Sequence, residues 1–151
     1  MKLSIAVIGQ GRSAVEHKLA LDWFQKLPHR GNFTEHTSKL PAGPKRCADE
    51  SARLMASAPP ASHLIAMDPY GKDTSSEELA KIIQAWRDEG VRDAVFMVGG
   101  ADGHDQSLLD RAHYKMAFGR QTWPHMLFRA MLAEQLYRAE MILIGHPYHH
   151  A

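Results

Sequence analysis

The stretch FGRQTWPHMLFRAMLAEQLYRAEMILIGHPYHHA, from Phe118 to Ala151, organises the rest of the chain. It joins an irregular loop (Phe118 to Trp123), a helix opened by Pro124 and a short tail rich in histidine and tyrosine. Proline suits the first helical position because its missing N–H would have no partner there. No Gly or Pro interrupts the helix before at least Ala139. Phe128, Met131, Leu132, Leu136 and Ala139 form a stripe at helical spacing, while Met126, Leu127, Ala130 and Ala133 leave little of the opposite side polar. A helix apolar nearly all round is buried on more than one side. In so small a chain this points to a subunit partner; the plainer alternative is the central helix of a single core. Glu134 and Arg138, four residues apart, have the spacing of a modest surface ion pair.

At 151 residues the chain has the length of one α/β domain with a real core. The N-terminal run MKLSIAVIG is too short for a secretory signal, and no apolar run reaches membrane-spanning length, so a cytoplasmic protein is expected. A single cysteine, Cys47, excludes an internal disulfide and a multi-cysteine zinc site. The net charge of +1 does not announce nucleic-acid binding, so an RNA substrate would have to be held by local patches and shape. Ten histidines make the surface more cationic at mildly acid pH.

Lys2 to Ile8 reads as a core strand ending at Gly9. Gly9-Gln10-Gly11-Arg12 leads through Ser13, which has capping-box spacing to Glu16, into a helix with a stripe at Leu19, Trp23 and Leu27. Gly-x-Gly without a third glycine is a tight β-to-α turn rather than a dinucleotide fingerprint. Residues 31 to 40 form a second strand; Pro41 to Arg46 is a loop with two adjacent cations, either solvated or touching phosphate; a short helix covers Asp49 to Ser57. His63 to Met67 is a buried strand with the exit loop Asp68-Pro69-Tyr70-Gly71-Lys72. Ser75 and Glu78 make a capping box for a helix carrying Leu79, Ile82, Ile83 and Trp86 and stopped by Gly90. Ala94 to Val98 is continuous and apolar, as a parallel strand covered on both faces should be. A short helix around Gln106 to Asp110 and a strand near Tyr114 to Phe118 complete a single domain over residues 1 to 151.

The strand, helix, strand order places the Asp68 loop and the Gly99-Gly100-Ala101-Asp102-Gly103 loop at the carboxyl edge of one sheet, where ligands settle in open α/β folds. The Phe118 to Trp123 loop makes a third wall. A nucleotide-like ligand fits such an edge, although loops of this kind are more often plain turns. No P-loop and no G-x-S-x-G elbow is present, which disfavours triphosphate and hydrolase chemistry. The terminal histidines lack a neighbouring carboxylate or thiolate and a rigid frame, so no metal site is expected.

Thr122-Trp123-Pro124-His125, Arg129, Glu134-Gln135-Leu136-Tyr137-Arg138-Ala139 and Ile144-Gly145-His146-Pro147-Tyr148-His149 closely resemble the end of the RlmH-type ribosomal RNA pseudouridine-N3 methyltransferases of the SPOUT class. Met67-Asp68, Gly71-Lys72, Ser75-Ser76-Glu77, then Val98-Gly99-Gly100 and Gly103 stand in the same order as in that family. The resemblance is strong over residues 62 to 151 and looser before, where the chain also looks shorter between Phe33 and His63. It implies an α/β fold of SPOUT type, a parallel sheet flanked by helices with a C-terminal trefoil knot, and a homodimer whose active site forms where the knots meet. It further implies that S-adenosylmethionine lies against Met67, Gly99 and the loop Phe118, Gly119, Arg120, Gln121, Thr122 and Trp123. The implied substrate is a pseudouridine of large-subunit ribosomal RNA, met within the ribosome and methylated at N3.

That nitrogen is a poor nucleophile until deprotonated, so the enzyme must orient it and help remove its proton. The tail is the expected place: Tyr148 to stack on or hydrogen-bond the base, and His149 to accept the proton. Arg129 would orient groups at the dimer interface or contact phosphate; packing at that interface is an equally good account of Arg129 and Tyr137. Two departures from the family pattern stand out. His150 replaces the usual Arg or Lys after the Tyr-His pair, and Asp102 replaces a longer acid. The competing expectations are a SPOUT methyltransferase with another RNA target and a ribosome-binding module without catalysis.

Overall fold

Strands and helices alternate in the computed structural model, which describes residues 1–150. In chain order they are β1 (Lys2–Ile8), α1 (Val15–Gln25), β2 (Arg30–His36), α2 (Pro44–Ala56), β3 (His63–Asp73), α3 (Ser76–Asp88), β4 (Asp93–Val98), α4 (Gln106–Arg111), β5 (Tyr114–Ala117) and α5 (His125–Leu143). The strands pair in parallel in the order β2-β1-β4-β3-β5. Parallel pairing needs a crossover after each strand, and the helices supply it.

Strand alternation assigns the two layers. Leu3, Ile5 and Val7 of β1, Ile65 and Met67 of β3 and Phe96 and Val98 of β4 point to one face, where Phe24 of α1, Leu79 and Ile83 of α3 and Leu132 and Leu136 of α5 cover them. Ala6, Ile8, Leu64, Ala66, Val95 and Met97 point to the other, where Leu54 of α2 and Leu108 of α4 complete a second core. Edge strand β2 is only partly buried, in keeping with its polar sequence. No helix among the described residues is long and apolar enough to cross a membrane.

Several elements match their sequence signals. Ser75 and Glu78 form a reciprocal capping box, and Gly90 has φ of 82° just past α3. Others are displaced. Pro124 is the cap before α5, with an extended ψ of 133°, so the helix proper starts one residue later at His125. Ser13 makes no cap: α1 begins after Ala14 without a side-chain cap. The buried face of α1 is His17, Ala20 and Phe24, whereas Leu19 remains 44% exposed. The reason is that His17 is drawn inward by polar partners, which rotates Leu19 and Trp23 toward a groove beside α5. Gly11 lies over that imidazole, and a Cβ there would sit 2.1 Å from the His17 ring.

Lys45 and Arg46 belong to the first turns of α2, not to a loop, because Pro44 starts the helix as N1. Asp68 to Lys72 is likewise an extended continuation of β3 rather than a loop. Pairing with β5 lapses after Met67 and resumes at Lys72 opposite Met116. Gly71 makes this possible, since an added Cβ would lie 2.7 Å from the Lys115 carbonyl carbon and the Met116 nitrogen.

Candidate active site

With every strand parallel, Met67, Gly99 and the loop after β5 meet at one sheet edge. Met67 pairs in register with Val98, so the side chain of one and the glycine turn following the other are neighbours. The turn is closed by the Gly103 N–H donating to the Gly100 carbonyl at 3.0 Å. A Cβ on Gly99 would stand 3.0 Å from the Gly103 carbonyl, so glycine here is what lets the turn fold back tightly on itself. The loop from Phe118 to Trp123 is clasped: the Trp123 indole Nε1 donates to the Phe118 carbonyl at 2.9 Å. Phe118 is anchored by Phe128, with ring centroids 5.1 Å apart, while Gly119, Arg120, Gln121 and Thr122 form an exposed tip turned by Gly119 at φ 75°.

A groove of about 890 Å³ runs from Phe118 and Gly119, past Asp73 to Ser76, to Glu134 and Arg138 of α5. That volume suits a nucleoside-sized ligand. It also joins the loop to the tail, because Glu134 and Arg138 hold the last residues of the chain. The Arg138 guanidinium donates to Glu134 at 2.5 and 3.0 Å and lies 4.8 Å from the centroid of the Tyr148 ring. The Tyr148 hydroxyl donates to the same Glu134 carboxylate at 2.8 Å. Trp23 and Tyr137 flank the Tyr148 ring at 5.8 and 5.1 Å. Burial and the adjacent Glu134 carboxylate both push the Tyr148 phenol up, so it remains a donor through neutral pH.

His149 has both ring nitrogens engaged. Arg138 lies 3.2 Å from Nδ1 and can only donate, so Nδ1 is the acceptor. The Nε2–H then donates to Glu77 at 2.8 Å, and that bond holds the Glu77 carboxyl below its usual range. In this packing His149 has no free lone pair with which to take a proton; release from Arg138 is required first. The Glu134–Arg138 pair is therefore the hub of the tail rather than a surface detail.

Arg129 lies elsewhere. Its side chain is fully buried and donates to Glu35 at 2.9 Å and to His17 Nδ1 at 3.2 Å. Burial pushes the Glu35 carboxyl up, but the Gly11 N–H and Arg129 outweigh it and leave it below its usual range. His125 adds a bond from Nε2–H to the Ile8 carbonyl at 2.6 Å. The cluster ties α5 and α1 to the ends of β1 and β2. A phosphate contact by Arg129 does not fit this burial, and Arg129 does not join Tyr148 and His149. Glu35, His17, Glu77 and Trp23 are not site residues in the sequence reading, because the partners that bring them to the site are remote in the chain.

The family described as Predicted SPOUT methyltransferase matches residues 1–149. The chain belongs to the SPOUT methyltransferase family. This SPOUT chain is 43% identical over 150 residues to the Ribosomal RNA large subunit methyltransferase H of Paramagnetospirillum magneticum, covering 99% of each protein. It is 41% identical over 160 residues to the protein of the same name from Mesorhizobium japonicum, covering 100% of each. Among solved structures, a probable methylase family protein from Haemophilus influenzae superposes with a TM-score of 0.57 at 9% identity, over 99% of this chain and 70% of that one. That likeness supports the fold.

Proposed function

We propose that this SPOUT protein transfers a methyl group from S-adenosylmethionine to N3 of a pseudouridine in large-subunit ribosomal RNA. The end-to-end similarity to proteins named for methylation of that RNA carries the reading. One observation supports the cofactor: the groove beside Phe118 and Gly119 has nucleoside dimensions. Bound S-adenosylmethionine supplies an electrophilic methyl group. Met67, Gly99 and the loop Phe118, Gly119, Arg120, Gln121, Thr122 and Trp123 hold it, the backbone of the loop tip reading polar edges and the apolar side chains covering its faces.

N3 of the base becomes nucleophilic on losing its proton. Tyr148, kept protonated beside Glu134, stacks on or donates to the base, and His149 accepts the N3 proton once Arg138 has let go of Nδ1. Arg129 contributes by positioning the start of α5, and with it the adjacent loop. The groove walls leave Leu19 and Leu127 44% and 37% exposed, with Trp23 and Met131 beside them, and a second copy covering this surface makes the active unit a homodimer. Helix α5 returns from edge strand β5 to pack between α1 and α3, and the C-terminal trefoil knot belongs to this reading through the family resemblance. The substrate is met in the cytoplasm, within the ribosome.

Calorimetric titration with S-adenosylmethionine, with Trp123→Asp as the control, tests the cofactor loop. Saturable binding lost in the folded variant supports it. Nucleoside mass analysis of ribosomal RNA treated with the enzyme then identifies the base. A methyl group on another nucleotide would replace the pseudouridine assignment, and no binding by a folded native dimer would favour a ribosome-binding role without catalysis.

A further inference from the structure

The face of the glycine turn that points away from the groove is gripped by α2. Arg46, in the first turn of that helix, places Nη2 3.0 Å and Nε 3.2 Å from the Asp102 carboxylate at the tip of the turn. The same Nε lies 3.2 Å from Glu50, whose carboxylate side chain is only 5% exposed. The second Glu50 oxygen has no hydrogen-bond partner and faces Gly100, where a Cβ would stand 2.5 Å from it. Ser51 accepts from the Asp105 N–H at 2.9 Å just beyond the turn, and the Cys47 thiol approaches the carbonyls of Asp102 and Gly103 at 3.7 and 3.6 Å. A buried carboxylate is costly unless a cation compensates it, and here one guanidinium serves both the buried acid and the acid on the turn. Ordinary packing of α2 on the sheet requires neither charge, because Leu54 and Ala6 already supply an apolar contact in that layer.

We infer that Arg46, anchored by Glu50, is a positioning residue for the cofactor: through Asp102 it holds the Gly99–Gly103 turn in the conformation that receives S-adenosylmethionine. The inference rests on the reading that Gly99 borders the cofactor. It gives a role to a cation in the first turn of α2 and to the short acid at the turn. Aspartate reaches Arg46 directly from the five-residue turn Gly99 to Gly103, whose tip cannot retreat far from the helix. None of these three side chains lines the groove beside Phe118, so their effect passes through the backbone of the turn.

Asp102→Asn is the sharpest test, because it frees the turn while leaving Arg46 to compensate Glu50. Cofactor dissociation constants and steady-state methylation kinetics are measured for the native protein, Asp102→Asn, Asp102→Glu, Arg46→Met and Trp123→Asp, with thermal unfolding as the control for folding. A turn that adopts the receptive conformation only a tenth of the time weakens apparent binding about tenfold. That loss is expected for Asp102→Asn, with the cofactor KM raised in step and kcat at saturating cofactor near native, and with affinity largely restored in Asp102→Glu. Arg46→Met is expected to weaken binding at least as much where it folds; if it does not fold, Asp102→Asn decides alone. Native affinity in folded Asp102→Asn, or a loss that Asp102→Glu does not restore, overturns the positioning role. If Trp123→Asp also binds normally, the cofactor lies elsewhere and the underlying reading falls as well, whereas loss in Trp123→Asp with native binding in Asp102→Asn removes only the inference about Arg46.

Discussion

Removing the Arg87 side chain should cost far more than a surface ion pair is worth. Arg87 of α3 donates through both terminal nitrogens to Glu140 near the end of α5, one contact measuring 3.1 Å. The Glu140 side chain is 3% exposed and that of Arg87 19% exposed, so the carboxylate is almost wholly dependent on its partner. Arg87→Met would strand a buried negative charge, a change that typically costs 3–5 kcal/mol. Because the Arg87 end of the pair reaches water, which can enter when the guanidinium leaves, the lower figure applies, about 3 kcal/mol. That is a large share of the roughly 5–15 kcal/mol that holds a domain together. Arg87→Met/Glu140→Met, which removes the charge with its partner, should recover most of the loss. Urea unfolding at one fixed protein concentration and neutral pH measures all three, with an unchanged m-value required for comparison. A loss below about 1 kcal/mol in Arg87→Met, or a double variant no more stable than the single one, would refute the argument that burial makes this pair matter.

Acid should weaken the fold before it titrates the carboxylates. Burial lowers the pKa of His36, His63, His104 and His125 below the ordinary value of 6.5. The unfolded chain therefore binds more protons just below pH 6.5, and the stability these neutral imidazoles contribute, complete above that value, declines as pH falls. Thermal midpoints should drop between about pH 7.5 and 5.5, and a flat profile would contradict the burial of these rings. Glu134→Ala should release both Tyr148 and Arg138, lowering the methylation rate about 10- to 100-fold while cofactor affinity stays within a factor of about two. Equal losses in both measurements would place Glu134 in the cofactor site instead. Gly71→Ala should destabilise by about 1–3 kcal/mol in urea unfolding, since its methyl group would meet backbone rather than a side chain that can move aside. A neutral result would mean that β3 and β5 part easily at this point.

The order of strands and helices was legible in the chain because each apolar run and each cap is a local signal. Leu64 to Met67 and Ala94 to Val98 announce strands covered on both faces, and Ser75 with Glu78 announces the start of a helix, before any long-range contact exists. The glycines at 71, 99 and 119 and the run around Trp123 likewise mark the sheet edge. What the sequence could not show is which way a polar residue faces once distant partners compete for it. His17 and Arg129 stand 112 positions apart, and only their meeting beside Glu35 explains why α1 buries His17 while Leu19 stays at the surface. Arg46 and Asp102, separated by 56 positions, give no pattern that spacing along one element can reveal. The tail obeys the same rule: His149 is an evident candidate base in the sequence, yet its nitrogens are taken by Arg138 and by Glu77 across 72 positions. Periodicity and capping are properties of neighbouring residues, and so are legible in the sequence where no distant partner competes, as at Ser75 and Glu78 but not at Ser13. Charge compensation in a buried site depends on groups brought together by folding, and only the tertiary structure decided it.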